Sequence, residues 1–331
     1  MKRYDNLYSK ICSMENLRLA DEKARKGKKR SRGVHLFDRD PEGNLQRLHA
    51  LLLSGEYHTS RYTFFMVHDP KERTIARLPY YPDRIVHHAI MNVLEPIFTK
   101  LYTADTYACI KGRGAHLARK RIMGALRRDP QGTRYCLKLD IRKYYPSVDH
   151  DILKGILRRK FKDARLLALL DEIIDSAEGL PIGNYLSQTL ANVYLAYFDH
   201  YVKETLRVRY YFRYVDDIVI LSDSKDKLRE ILASLTSALA GLRLQVKPNW
   251  QVFPVEARGI DFLGFVFRHG YVRLRKRIKR NLFRALKHAR KVCHSVKQIR
   301  LAVASYIGWL KYTDSKQLIN SLNSYAYAKV F

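Results

Sequence analysis

Cysteine is scarce in this chain. The four cysteines among 331 residues, Cys12, Cys109, Cys136 and Cys293, lie far apart and form no C-x-x-C pair. That spacing argues against a zinc finger and a disulfide framework and points to a reducing compartment. No apolar run approaches the ~20 residues that span a bilayer. The opening "MKRYDNLYSKICSMENL" lacks the apolar core of a signal peptide. The expectation is a soluble, cytoplasmic protein with no membrane partner. No period repeats, and no Pro/Gly/Ser-rich linker divides the chain. Acid is also in short supply: 32 Asp and Glu stand against 62 Lys and Arg, a net charge of +30 and a pI near 10.0. Solubility alone seldom needs so one-sided an excess, and its natural counterpart is the phosphate backbone of nucleic acid. With 47% apolar residues the chain is no disordered polyelectrolyte, and its length suits a large core and more than one domain.

What is present reads as helices and strands mixed without βαβ regularity, which predicts an α+β fold with an antiparallel sheet. "KARKGKKRSRG" (23–33) reads as a basic, flexible segment. "PEGNLQRLHALLLSGEY" reads as a capped helix ending near Gly55. Residues 62–81 suggest a β-hairpin with polar residues 69–73 at its turn. "DRIVHHAIMNVLEPIF" is helical in pattern, and "YCLKLDI" (135–141) is a strand followed by the helix "DHDILKGILRRKF". Leu186, Leu190, Val193, Tyr194, Tyr197, Phe198 and Tyr201 recur at helical spacing and predict one helix. "GIDFLGFVFRHGYVRL" reads as a hairpin. Residues 271–331 carry fifteen Lys or Arg and one Asp, and in "IKRNLFRALKHARKV" an apolar stripe backs a cationic face.

The chemistry sits on acidic strand ends. Asp140 ends an apolar strand, and Asp216 and Asp217 occupy the tip of a tight hairpin, "FRYVDDIVIL". Strand sequence is poor in Asp, and adjacent carboxylates repel. Pairing with arginine explains any one of them, but three at strand ends are better explained by a hard divalent metal. Two such ions about 4 Å apart stabilise the attacking and leaving oxygens of a phosphoryl displacement.

"FRYVDDIVIL" resembles the Y-x-D-D hairpin of reverse transcriptases. "LKLDIRKYYPSVD" resembles their first metal-binding motif, and "RGIDFLGFVF" their primer-grip hairpin, all in family order. Where most members read P-Q-G, this chain has Pro181-Ile182-Gly183, then Ser187-Gln188. The I-G-x-x-x-S-Q pattern, with "LPYYPDRIVHHAI", "TYACIKGRGAHLA" and "NWQVFPVEARGIDFLG", resembles the reverse transcriptases of diversity-generating retroelements. These belong among the group II intron and retron-like enzymes of bacteria and their phages.

The resemblance implies a right-hand polymerase of fingers, palm and helical thumb. An N-terminal extension and fingers would occupy 1–134, the palm 135–270 with a fingers insertion near 151–180, and the thumb 271–331. It implies an RNA-directed DNA polymerase that copies a template RNA into cDNA with frequent errors opposite adenine. It further implies dNTP substrates, an RNA–DNA duplex product, two Mg²⁺ ions with Mn²⁺ as a substitute, and a small basic accessory protein. Asp140, Asp216 and Asp217 become the catalytic metal ligands, with the carbonyl of Ile141 completing the sphere. Tyr145 stands where the family places a steric gate against the ribose 2′-OH, with a core tyrosine as its bland alternative. Lys71 and Arg73 would grip the triphosphate, Arg77 a template phosphate, and Ile182, Gly183 and Gln188 would line the nucleotide site. Lys247 is a candidate general acid for the departing pyrophosphate. Arg113 and Gly114, beside Gly112, would contact template, and Leu263 and Gly264 the primer end; His116 reads as structural. Two alternatives stay open: a retron or antiphage-defence reverse transcriptase with the same core, and a non-catalytic RNA-binding protein of polymerase fold. The intact carboxylates disfavour the latter, and Tyr145 disfavours an RNA polymerase.

Overall fold

The computed structural model describes residues 3–68, 72–293 and 295–326. They form two compact units, each assembled from three stretches of chain. The first takes 1–109, 141–206 and 235–247; the second takes 110–140, 207–234 and 248–331. Among the described residues no helix is long and apolar enough to cross a membrane.

The first unit is mostly helical. Helix Pro41–Ser54 starts where the Asp40 carboxylate accepts from the Gly43 amide at 3.1 Å and stops at Gly55, whose φ of 80° reverses the chain. Helix Met14–Ala24 packs on helix Ile85–Thr99, burying Leu17 and Ala20 with Ile90 and Leu94. Buried Asn16 donates to the carbonyls of Ile11 and Ala89, satisfying polar groups between them. The expected hairpin is present as β1 (Thr63–Val67) and β2 (Arg73–Arg77), antiparallel with Val67 opposite Arg73. The basic segment 23–33 is not loose. Its turns are closed by Lys28 and Ser31 amides, and Gly33 lies so close to Tyr80 that a Cβ there would stand 2.8 Å from the tyrosine Cβ.

The single helix expected from 186 to 201 is instead broken into Ser187–Tyr194, Ala196–His200 and a wider turn at Tyr201–Thr205, with Leu195 at the break (φ −93°, ψ 2°). Ala191, Val193, Tyr194, Leu195, Ala196 and Phe198 are all buried, so packing on every side replaces a one-faced amphipathic helix. Buried polar contacts hold its backbone: the Tyr144 hydroxyl donates to the Ala191 carbonyl, and Asn192 Nδ2 to that of Ala108 at 2.7 Å.

The second unit is built on an antiparallel sheet. Strands β3 (Tyr135–Asp140), β4 (Tyr210–Tyr214), β5 (Asp217–Ser222) and β6 (Gln251–Pro254) lie in the order β4-β5-β3-β6. Val219, Ile220 and Leu221 of β5 and Cys136, Leu137 and Leu139 of β3 fill its core. A second sheet, β7 (Ile260–Phe262), β8 (Phe265–Phe267) and β9 (Val272–Leu274), extends the expected hairpin by one strand. Helix Lys276–Val292 buries Leu282, Leu286 and Ala289 and leaves its cations outward.

β7 and β8 are joined by the two-residue turn Leu263–Gly264, with φ of 52° and 83°. Positive φ at both positions matches the twist of the flanking strands. A Cβ on Gly264 would stand 2.8 Å from both Ile278 Cδ1 and Trp309 Cζ3. By contrast, a Cβ on Gly112, at φ 78°, would meet nothing within 4 Å. Gly112→Ala is therefore expected to cost only its backbone strain, about 1–2 kcal/mol. Gly264→Ala adds overpacking of roughly 1–3 kcal/mol. Urea unfolding of both variants reads the difference. Equal losses would show that Trp309 and Ile278 yield freely.

Candidate active site

The three aspartates meet in the second unit. Asp140 is the last residue of β3 and Asp217 the first of β5, and the register makes them cross-strand partners. Asp216 is the preceding turn residue, since Tyr214 pairs with Asp217 across a loop of Val215 and Asp216. Val215 has φ of 58°, a region that β-branched residues rarely adopt. The turn is held from behind: fully buried Arg213 donates from Nη1 to the Val215 carbonyl at 2.9 Å. A strained valine at the tip thus carries the two carboxylates forward on a fixed backbone.

The electrostatics are unfavourable for bare carboxylates. Burial pushes the Asp217 carboxyl up to about 7; Lys138 pulls it down, and the charges of Asp140 and Asp216 push it up further. Lys138 Nζ lies 3.9 Å from Asp217 Oδ1, an atom that is buried without a hydrogen-bond partner. Lys138 also donates to the Asp261 carbonyl in β7, and Arg275 Nε donates to Asp261 Oδ1 at 2.5 Å. This Lys138–Asp261–Arg275 cluster joins the Leu263–Gly264 hairpin to the carboxylates. It was missed in the sequence, although Lys138 and Asp140, two apart on a strand, necessarily share a face. Nothing local in the sequence marks Arg213.

Elsewhere in this unit, Arg113 and Gly114 immediately precede helix Ala115–Arg128. Gly114, with φ 128° and ψ −171°, adopts a backbone open only to glycine. His116 stacks on Tyr312 with ring centroids 4.0 Å apart, in keeping with a structural role.

The first unit holds the remaining candidates. Ala76 of β2 donates its amide to the Ile182 carbonyl at 2.7 Å. A Cβ on Gly183 would stand 2.6 Å from the Ala76 carbonyl oxygen, so glycine is required for this contact. Ile182 is half-buried, while Arg73 and Gln188 are exposed. Gln188 Oε1 accepts from the Cys109 thiol at 3.2 Å. Tyr144 takes the core position, 2% exposed, leaving Tyr145 half-buried beside it with ring centroids 5.8 Å apart. Ile141 is fully buried and bridges Val246, which places half-buried Lys247 one residue further on. Lys71 lies outside the described residues. Ile75, Ala76, Gly183 and Tyr185 also line a cavity of about 400 Å³ with Lys28, Arg77 and Arg84. The charge of Arg84 holds the Lys28 ammonium below its ordinary value, with burial and Arg77 adding to the effect. Burial pushes the His87 imidazole down to about 3, so it is neutral, and its buried Nε2 has no partner. Three crowded cations and no carboxylate make this a place for an anion.

A sequence profile described as "Reverse transcriptase (RNA-dependent DNA polymerase)" matches residues 68–267, a span that contains both aspartate-bearing motifs and the β7–β8 hairpin. The chain belongs to the reverse transcriptase family. Among curated relatives it is 27% identical to Protein YkfC of Escherichia coli K12, over 70% of this chain and 72% of that protein. It is 24% identical to the group II intron-encoded protein LtrA of Lactococcus lactis, over 49% of this chain. It is 28% identical to nuclear intron maturase 4 of Arabidopsis thaliana, over 45% of this chain. Those matches span only 28% of LtrA and 20% of the maturase. Telomerase from Candida tropicalis in complex with a telomeric RNA fragment has the same fold, with a TM-score of 0.51 at 12% identity over 76% of this chain and 53% of that one.

Reverse transcriptases work with divalent metal ions. Among the described residues no group of three or more His, Cys, Asp or Glu side chains converges as a ready metal cage. The residues nonetheless fit such an ion: Asp217 Oδ1 is a buried acceptor without a hydrogen-bond partner, and burial, with the charges of Asp140 and Asp216, raises the pKa of the carboxyl that bears it, a cost that a bound cation would relieve. Asp140, Asp216 and Asp217 would hold the ion.

This has a pH consequence for metal-free protein. The folded Asp217 pKa, about 7, lies above the unfolded value of 3.8, so between those values the folded state binds the proton more tightly. Stability from this group is therefore present at low pH and lost as pH rises through about 7, a loss on the order of a few kcal/mol. Asp217→Asn is expected to flatten that portion of the profile and to unfold at higher denaturant than wild type at pH 8 without metal. Added divalent cation should stabilise wild type more than the variant. Parallel pH profiles for the two proteins would overturn the reading.

Proposed function

We infer that this reverse transcriptase copies a template RNA into error-prone cDNA for a diversity-generating retroelement. The observation that carries the polymerase chemistry is the register pairing of Asp140 with Asp217, with Asp216 at the adjoining turn. Asp140, Asp216 and Asp217, with the Ile141 carbonyl, bind two Mg²⁺ ions, which when bound supply charge stabilisation to the attacking and leaving oxygens. Leu263 and Gly264 support the primer end, and Arg113 and Gly114 contact template backbone. In the first unit Arg73, with Lys71, grips the dNTP triphosphate through bidentate geometry. Tyr145 excludes the ribose 2′-OH. Lys247 protonates the departing pyrophosphate. The fingers, palm and thumb limits remain those proposed above, at 1–134, 135–270 and 271–331. A small basic accessory protein completes the reading.

The mutagenic role rests on Ile182. Its half-buried position and backbone bond to β2 support a place near the nucleotide, where most of the family carries glutamine. Isoleucine offers no donor or acceptor and constrains a base pair by shape alone. Loss of such a polar restraint is worth about 1–3 kcal/mol of discrimination, roughly ten- to a hundredfold. A second reading, service to an intron RNA, is favoured by the names of the maturase relatives.

Four variants test these assignments. Asp140→Ala or Asp216→Ala should reduce Mg²⁺-dependent primer extension more than about a thousandfold, since each removes charge facing the reacting phosphate; activity above a tenth of wild type sinks the assignment. Tyr145→Ala should admit ribonucleotides on a template that wild type copies only with dNTPs. Ile182→Gln should lower misincorporation opposite template adenine, read by sequencing cDNA made on one RNA. Identical error spectra would leave Ile182 as a family marker and favour the intron or defence readings.

A further inference from the structure

Helix Ala115–Arg128 buries Ala118, Ile122, Ala125 and Leu126 within its own unit. Its other face carries Lys120, Arg121, Gly124, Arg127 and Arg128 at three- and four-residue spacing. Those residues and Lys311 line a groove of about 600 Å³. Tyr312 fixes its two walls: His116 stacks on the ring, and Arg119 lies over it at 5.4 Å and donates to its carbonyl at 2.6 Å. No ion pair among the described residues engages Lys120, Arg121, Arg127, Arg128 or Lys311. One carboxylate, Asp314, stands at the rim, where it accepts from the Val272 amide at 2.8 Å. Gly124 leaves a notch between the cations. A Cβ there would only touch Arg128 Nη2 at 3.5 Å, so packing does not demand glycine, and glycine weakens a helix interior.

Four unpaired cations along a helix of 14 residues, about 21 Å long, with Lys311 beside them, suit a row of phosphates rather than one anion. No aromatic side chain lines the groove, so it offers no stacking surface to unpaired bases. None of the large exposed apolar residues lies in it, which disfavours a membrane surface. We propose that this groove docks the phosphate backbone of a double-stranded segment of folded RNA, through residues distinct from the carboxylate site. The proposal rests on the RNA-copying reading, and Gly124 admits the backbone closely.

The test is binding of a 20-base-pair RNA hairpin to the full chain by fluorescence anisotropy, with primer extension on a short unstructured template as a separate readout. Arg121→Glu with Arg127→Glu should weaken hairpin affinity at least tenfold and shallow the salt slope by about one per lost contact. Gly124→Leu, which leaves the charge unchanged, should weaken it severalfold without lowering the unfolding temperature. Extension should stay within twofold of wild type in both, so a failure of the polymerase reading appears in the wild-type extension assay and not here. A matched reversal at exposed Lys10 and Arg39 should have little effect. Equal weakening by that control, unchanged affinity in Gly124→Leu, tighter binding of a DNA hairpin, or preferential binding of acidic phospholipid vesicles would each overturn the proposal.

Discussion

The repulsion between Asp140 and Asp217 is the constraint around which the second unit is arranged. Like charges directly opposite on neighbouring strands destabilise a sheet, and burial of Asp217 deepens the cost. The surroundings answer it piecemeal. Lys138, on the same face of β3 as Asp140, brings its ammonium toward Asp217. Asp261 holds Lys138 through its carbonyl and Arg275 through its carboxylate, so the hairpin at Leu263–Gly264 is tied to the same charges. Buried Arg213 props the left-handed Val215. These compensations do not remove the cost: burial and the neighbouring charges of Asp140 and Asp216 still raise the Asp217 pKa. What remains is an electrostatic environment that a bound cation would relieve.

The rest of the +30 charge obeys the same rule with the sign reversed. Lys28, Arg77 and Arg84 crowd one cavity without a carboxylate, and the outward face of helix Ala115–Arg128 gathers four more cations with one carboxylate, Asp314, at its rim. Helix Lys276–Val292 buries Leu282, Leu286 and Ala289 and is rich in Lys and Arg on its other faces. Gathering like charges costs free energy that surface ion pairs would relieve, and acids are available elsewhere in the chain for such pairs, as Arg158 with Asp171 and Arg18 with Glu42 illustrate. Among the described residues no such ion pair engages Lys120, Arg121, Arg127 or Arg128.

Fold and family define a reaction but not its purpose, since one scaffold serves many roles. Gly183 cannot take a side chain against β2, so Ile182 is held at a set place whatever its identity, and only its chemistry is free to vary.

Much was legible in the residues. Strand and hairpin patterns located β3 and the β4–β5 turn, because alternation and turn chemistry are local. The stretch opening at Pro41 and ending near Gly55 read as a capped helix, as it is. The aspartates announced themselves by standing where strand sequence excludes them. Other features depend on what the chain meets. The stretch 187–205 breaks at Leu195 because it is enclosed on all sides, and periodicity cannot register packing from every direction. Segment 23–33 is ordered against Tyr80, a partner 47 residues beyond Gly33. Tyr144 and Tyr145 are indistinguishable as letters; the Ala191 carbonyl that receives the Tyr144 hydroxyl decides which one is core. The sequence by itself determined which groups carry charge and which segments become strands or helices, because those follow from side-chain chemistry within a few residues. Tertiary structure alone decided that Asp217 Oδ1 lacks a hydrogen-bond partner, that Lys138 faces it, and that Arg121, Arg127 and Arg128 engage no ion pair among the described residues, because burial and pairing are properties of neighbours far away in the chain.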